Sequence, residues 1–402
     1  MRVGFNAFFL GREGAGSGQY TQHLVRAMAQ VDPDCAYVLY TRDAEPAANA
    51  HAGNAPSETL RGRFADAGVH ALRTPFTRRW DNLDKLWFEQ VAFPCACRQA
   101  AVDVCHVPYF ASPFCSTRPT VVTVHDLIPL LLPAYRGSVA VRAYTHLVCA
   151  AARRADRIIT DSLASRDDIV RHLRVPPERV HVAYLAADPA CRRVVDAEAL
   201  QAVRSKYGLP DTYLLYLGGF DQRKNLQSLL RAYQRARRTL GEEAPPLVVA
   251  GRLPAADTPL FPDPRRMARE VGVERHVRFP GWIAEADKPA LYSMALAFVF
   301  LSLYEGFGLM PLEAMSCGTP VLAANSSSLP EIVGPGGLLV GPQDVDGAAA
   351  GMVGLLRDTA LRQRLGQQGL RQAARFDWKR TAEQTRQVYE LAMSQPRVAA
   401  GT

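Results

Sequence analysis

The sequence predicts an α/β chain of two doubly wound parallel-sheet domains, and three observations carry that expectation. At 402 residues the chain is longer than one hydrophobic core organises. Short apolar runs of strand length alternate with stretches of helical periodicity, the pattern of parallel strands joined by right-handed helical crossovers. A stretch at 186–212 bearing Pro189, Pro210 and scattered charge reads as a linker, and a fresh strand-and-helix series starts at Tyr213.

Residues 2–9 read as the first strand. Gly11, Gly14, Gly16 and Gly18 form a turn after it, and Tyr20–Met28 carries helical periodicity. Glycines here let backbone approach a phosphate at a helix N-terminus. Their spacing is not G-x-G-x-x-G, no acid at a second strand end completes a dinucleotide fingerprint, and a plain surface loop is the alternative. Tyr37–Tyr40 reads as the second strand, followed to about residue 70 by a variable loop. Phe76–Pro94 mixes Arg78, Arg79 and Lys85 with Trp80, Trp87, Phe88 and Phe93. Its first reading is a helix packing an aromatic stripe on the core. Its second is a surface for an anionic bilayer or amphipathic acceptor.

Val102–His106 and Thr120–Val124 are further strands, the latter leading to His125-Asp126 and the Pro-punctuated loop LIPLLLP. A His at the carboxyl end of a parallel strand stands where open α/β sheets bind ligands. That position, with the adjacent Asp, favours function over a structural His. Arg157–Ser162 is a strand, Arg166–Leu173 a helix, and Arg179–Tyr184 closes the half.

In the second half, Tyr213–Leu217 is followed by Gly218-Gly219 and by Arg223-Lys224, directly before a helix that Asn225 begins. Two cations at such a turn clamp a diphosphate, Arg as a fork and Lys as a point charge; solvated surface charge is the alternative. Leu247–Gly251 and His276–Pro280 are strands, with a helix in the following GWIAEADKPALYSMA. Ala297–Leu301 reads as a buried strand that breaks at the turn Glu305–Gly308, and Pro311 opens a helix that Gly318 ends. Strand, glycine turn and helix N-terminus make an anion site. Glu305 precedes the turn and Glu313 is expected in the first helical turn. A phosphate beside hydroxyls, as on a nucleotide-sugar, suits this arrangement. Pro320–Ala323, a Ser-capped helix at Pro330 and the strand Leu338–Val340 follow. The helices Ala348–Arg357, Leu361–Phe376 and Lys379–Ala392 complete the chain.

Composition narrows the function classes. Net charge is +8 without a basic tail, so nucleic acid is not an expected partner; the mild excess suits anionic substrates or an anionic membrane surface, and a genome preference for Arg is the equal alternative. No run reaches the roughly 18–20 apolar residues of a span. Gly4 and Asn6 interrupt the N-terminal apolar stretch, against a signal peptide. Eight Cys without a CxxC pair read as reduced thiols of a cytoplasmic protein. The spacings Cys95-Ala-Cys97 and Cys105-His106 do not make a four-ligand zinc site.

The stretch Glu305-Gly-Phe-Gly-Leu-Met-Pro-Leu-Glu313 resembles the E-x7-E motif of retaining family 4 glycosyltransferases with the GT-B fold. The likeness extends to Ala314–Val321, Leu329–Val333, His125-Asp126, Gly218-Gly219 with Arg223–Asn225, and Gly281. It is strongest to the bacterial mannosyltransferase branch that builds O-antigen and other surface polysaccharides. The resemblance implies two Rossmann-like domains facing a central cleft: 1–190 for the acceptor, 191–378 for the nucleotide-sugar, and a helix at 379–402 returning to the first. It implies that Glu313 binds the ribose, Glu305 the donor sugar, and Arg223 and Lys224 the diphosphate. The backbone of Gly306, Phe307, Gly308 and Leu309 would line sugar and phosphate, with Gly218, Gly219 and Gly281 also on the donor side. His125 would sit by donor sugar and acceptor, and the loop of Gly14, Gly16, Ser17 and Gly18 by diphosphate and acceptor.

The activity implied is metal- and cofactor-independent transfer of a hexose, mannose from GDP-mannose, to a lipid-linked or surface glycan such as O-antigen. It would take place in the cytoplasm with peripheral contact to the anionic inner membrane. A GT-B epimerase or hydrolase and a non-catalytic sugar-binding partner are the alternatives, and Glu305 as a hydrolase-style nucleophile is the competing role. Gly219 stands where many relatives carry Arg, the first loop reads Gly-Ala-Gly-Ser-Gly, and Ala186-Ala187 replaces a frequent Asn/Pro-Gly pair.

Overall fold

The computed structural model describes residues 1–10, 16–42, 68–76 and 80–394. It divides into two compact units, Met1–Tyr184 together with the helix starting at Trp378, and Leu185–Asp377. Each unit is built on one sheet whose described strand pairs are all parallel.

The first sheet contains β1 (Arg2–Asn6), β2 (Ala36–Thr41), β3 (Val69–Ala71), β4 (Val104–Val107), β5 (Thr120–Thr123), β6 (Arg157–Thr160) and β7 (Val180–Val182), in the order β3-β2-β1-β4-β5-β6-β7. The second contains β8 (Leu214–Leu217), β9 (Leu247–Ala250), β10 (Val277–Gly281), β11 (Ala297–Phe300), β12 (Val321–Ala324) and β13 (Gly337–Val340), in the order β10-β9-β8-β11-β12-β13. Strands β4, β5, β6, β8, β9, β11 and β12 are buried at every position. That is why they read as unbroken apolar runs rather than alternating ones: helices cover both faces of a parallel sheet. The order reverses between β1 and β4 in one sheet and between β8 and β11 in the other, which defines a ligand crevice at the carboxyl ends of each.

Several elements differ from expectation. β1 stops at Asn6, and the next helix starts at Gly16, so Gly16, Ser17 and Gly18 lie in its first turn instead of a loop. Gly14 lies outside the described residues. The strand β3 and the helix Val139–Arg154 went unforeseen. The helix is capped by Ser138, whose hydroxyl accepts the Val141 amide, and its mean hydropathy is low because only one side meets the core. The expected loop LIPLLLP holds a short helix, Ile128–Leu131. Arg223-Lys224 sits on a 3-10 turn, and Asn225, at φ +55°, links it to the helix Leu226–Leu240.

The Phe76–Pro94 stretch resolves into Asp81–Trp87, a π-helical turn Phe88–Ala92 and Phe93–Gln99. Its aromatic stripe does not pack inward as a whole. Asp84, Phe88, Glu89 and Phe93 are buried, whereas Trp80, Leu83, Trp87 and Val91 are exposed on the opposite face. Arg78 and Arg79 lie outside the described residues. The helix Trp378–Ser394 packs on the first unit: Tyr389 OH meets His106 Nδ1 at 2.7 Å, Thr381 donates to the Tyr184 carbonyl, and Trp378 stacks on His23.

In the second unit, the turns after β8 and β9 touch through backbone. A Cβ on Gly251 (φ +149°) would stand 2.0 Å from the Gly218 carbonyl oxygen, so only glycine lets these two strand ends close. All eight cysteines are free thiols. Among the described residues no helix is long and apolar enough to cross a membrane.

Candidate active site

Three separate segments meet at the β8/β11 switch point. The Arg223 carbonyl accepts the Leu303 amide at 2.8 Å, and Arg223 Nη1 donates to the Tyr304 carbonyl at 2.8 Å. Asn225 Nδ2 donates to the carbonyls of Leu301 and Pro342. The Glu305 amide donates to Ser327 Oγ, and Ser328 Oγ donates to the carbonyls of Glu305 and Phe307. This lattice fixes the Glu305–Gly308 turn from outside it. The sequence marks these serines only as a helix cap; three consecutive Ser after a strand are the available signal for a wider role.

The turn presents Glu305 to both cations. Its carboxylate meets Arg223 Nη1 at 2.7 Å and Lys224 Nζ at 2.8 Å, with Glu305 8% and Lys224 5% exposed. Burial pushes the Glu305 pKa up, but Lys224 and Arg223 outweigh it and hold the carboxyl below the usual range. Asp221, which sequence reasoning passed over, adds a contact of 3.3 Å to Arg223 Nε. Two cations therefore face two carboxylates, and the cluster is formally neutral. Lys224 Nζ also lies 5.1 Å from the centre of the Phe300 ring, so its ammonium is held on an apolar floor.

Gly308, at φ +115°, caps the helix Leu309–Ser316. Its N-terminus, with Leu309 leading, closes the turn and supplies amides that have no partner within the helix. Gly218 abuts this corner, since a Cβ there would reach Met310 Sδ at 3.3 Å; Gly219 follows, and its carbonyl accepts the Tyr216 hydroxyl. Phe307 is buried edge-on against Phe376, and Gly281 ends β10 at φ +83° with its carbonyl accepting the Gly251 amide. Because the helix starts at Leu309, Glu313 falls in the second turn and not the first. It stands apart from the ion cluster, accepting a hydrogen bond from Tyr292 OH at 2.9 Å. Burial raises its pKa, with Lys288 and Tyr292 offsetting only part.

In the first unit, His125 follows β5. Its Nδ1 lies 2.7 Å from Asp161 Oδ2 and its Nε2 lies 3.2 Å from the Pro108 carbonyl oxygen. Both ring nitrogens face acceptors, an arrangement that only the doubly protonated imidazolium satisfies. Burial lowers the His125 pKa, yet Asp161, Asp126 and the Pro108 carbonyl outweigh it and the net shift is upward. The Tyr20 ring meets the imidazole edge-on at 4.8 Å. Asp161, at the end of the strand RIITDS, had been read as backbone only. Among the described residues no three His, Cys, Asp or Glu side chains gather as metal ligands.

Two family models match the chain, Glycosyltransferase Family 4 over residues 14–190 and Glycosyl transferases group 1 over residues 201–372. The chain is similar to O-antigen chain mannosyltransferase B of Escherichia coli, 36% identical over 290 residues that cover 71% of this chain and 74% of that one. It is also similar to the serotype-specific mannosyltransferase WbdA of Escherichia coli, 34% identical over 266 residues, 65% of this chain; the match spans 32% of WbdA. Among solved structures, sucrose-phosphate synthase from Thermosynechococcus elongatus superposes with a TM-score of 0.74 at 22% identity, over 97% of this chain and 98% of that one, a likeness of fold.

Proposed function

The chain belongs to the family 4 glycosyltransferases of GT-B fold, and from that premise we propose that it is a retaining, metal-independent enzyme moving mannose from GDP-mannose to a lipid-linked or surface polysaccharide such as O-antigen. The observation that carries this reading is the Arg223–Lys224–Glu305 cluster at the β8/β11 switch point. Departure of a nucleoside diphosphate develops negative charge on the phosphate. Arg223, Lys224 and the N-terminus of Leu309–Ser316 stabilise that charge without a metal. Glu305, ionised by its two cations, supports positive charge as the anomeric carbon becomes oxocarbenium-like. Glu313 binds the ribose hydroxyls, for which its Tyr292 contact keeps the carboxyl oriented.

His125 is not a base in this scheme, because Asp161 holds it protonated; it donates to a sugar hydroxyl by turning its Nε2–H from the Pro108 carbonyl to the ligand. Same-face attack needs no protein base, since the departing phosphate oxygen takes the acceptor proton. Thermal-shift screening against GDP-, UDP-, ADP- and dTDP-sugars tests the donor. GDP-mannose is expected to raise the melting temperature most; a larger shift from a UDP-sugar would replace the donor assignment.

The exposed face of Trp80, Leu83, Trp87 and Val91 supports peripheral contact with the cytoplasmic side of the inner membrane. Indoles partition to the bilayer interface, and the net charge of +8 favours anionic lipid. Flotation with liposomes is expected to be salt-sensitive and to fall at least severalfold in a Trp80→Ser/Trp87→Ser variant. Equal flotation of variant and wild type would remove this face from the account.

A further inference from the structure

The second sheet carries its ion cluster at the β8/β11 reversal, and the first sheet has a reversal of its own between β1 and β4. Asn6 ends β1 there, and Tyr109 follows β4. Tyr109 OH donates to Asn6 Oδ1 at 3.0 Å, while Asn6 Nδ2, on a residue 1% exposed, has no hydrogen-bond partner among the described residues. Beside them Lys85 Nζ donates to Tyr144 OH at 2.7 Å and lies 3.3 Å from Glu89 Oε1. Tyr144 OH in turn donates to Glu89 Oε2 at 2.9 Å.

The Lys85 ammonium sits among the rings of Tyr144, Phe9 and Tyr109, at 4.4, 5.7 and 5.8 Å from their centres. Its side chain keeps 26% exposure while that of Glu89 has none. The neighbouring Pro108 carbonyl is the one that meets His125 Nε2, so this cluster adjoins the His125 centre within the same unit.

We propose that this β1/β4 crevice is the subsite for the receiving sugar of the acceptor, and that the Lys85–Glu89 pair sets its charge selectivity, admitting a neutral sugar in preference to an anionic one. The proposal rests on the glycosyl-transfer reading above. An ammonium, an orphan amide and half-buried Phe9 and Tyr144 rings offer what a hydroxylated ring needs: donors for its oxygens and flat faces for its C–H surfaces. Among the described residues Lys85 is the one cation in contact with Glu89; burial raises the Glu89 pKa and Lys85 opposes it, and the ionised carboxylate cancels the charge that would otherwise recruit a phosphate. The π-turn at Phe88–Ala92 is the local irregularity that accommodates Glu89 on the buried side, and such turns recur at functional sites.

The test compares binding of methyl α-mannoside with mannose 6-phosphate by saturation-transfer NMR, on the full chain with GDP present. Wild type is expected to prefer methyl α-mannoside. Glu89→Gln keeps the shape and one of the two acceptor oxygens, frees the Lys85 charge, and is expected to move the preference toward the phosphosugar by about tenfold. Lys85→Met is expected to weaken methyl α-mannoside about tenfold with GDP affinity unchanged within about twofold. An unchanged preference in folded Glu89→Gln overturns the charge rule. Undiminished methyl α-mannoside binding by Lys85→Met overturns the subsite, and does so even if Glu89→Gln fails to fold. Failure of the transferase reading shows separately, as absence of GDP release from GDP-mannose by wild type with either acceptor.

Discussion

Glu305→Gln is expected to lower kcat by about 10²–10³-fold while GDP binds as tightly as before or more tightly. In the resting protein the Glu305 carboxylate occupies both Arg223 and Lys224, at 2.7 and 2.8 Å. A diphosphate must compete with it for those cations, so removing its charge frees them for the ligand. The same removal takes the carboxylate that contacts Lys224 away from the developing positive centre. Lys224→Ala is expected to behave differently, losing kcat and GDP affinity together, because it deletes a diphosphate contact. Initial rates and calorimetry on the two variants check the split. Parallel losses of rate and affinity in Glu305→Gln would assign Glu305 to ground-state binding. The pH dependence has a definite sign as well. A carboxyl held below its ordinary value contributes stability above the unfolded pKa of about 4.5 and loses it as pH falls through the folded value. Glu305→Gln should therefore lose less stability than wild type on acidification from about pH 5 to pH 3.

Asp161→Asn carries the second large effect, an expected destabilisation of about 3 kcal/mol measured by urea unfolding below pH 6.5. Asp161 is 2% exposed and its partner His125 is 24% exposed, so their pairing is little screened. His125 has a raised pKa, so the imidazolium contributes stability in full below the unfolded value of about 6.5 and loses it as pH rises through the folded one. The cost of Asp161→Asn should consequently shrink toward alkaline pH. A destabilisation that does not change with pH would mean that Asp161 acts by packing and not by holding the charge.

The inner strands were legible because they are buried on both faces, and continuous runs such as Ala297–Phe300 or Val321–Ala324 admit few other readings, whereas the exposed edge strand Val69–Ala71 carries no such run. Helix starts were not. Gly16–Gly18 and Gly308-Leu309 looked like turns because glycine signals a break, yet one triplet sits inside a first turn and Gly308 is itself the N-cap. The consequence for Glu313 was a placement one turn too early. The helix Val139–Arg154 escaped because only Val148, Cys149, Ala151 and Ala152 of it are buried, which leaves a weak apolar stripe. Among the site groups, Glu305, Arg223, Lys224 and His125 stood out by residue type beside strand ends. Asp161 and Ser326–Ser328 did not, since each acts by holding another residue across a long stretch of chain, and pairing at that separation has no local pattern; Asp221 holds Arg223 from two residues away, where a neighbouring acid and base read as plain surface charge.

Retaining transfer of mannose is decided by the anomeric configuration of the product. The purified protein is given GDP-α-mannose and an α-mannoside acceptor, and the linkage formed is read from its one-bond carbon–proton coupling by NMR. A new α-mannosidic bond is expected, with GDP released in equal amount. A β-linkage, or free mannose accumulating with no linkage formed, would contradict it.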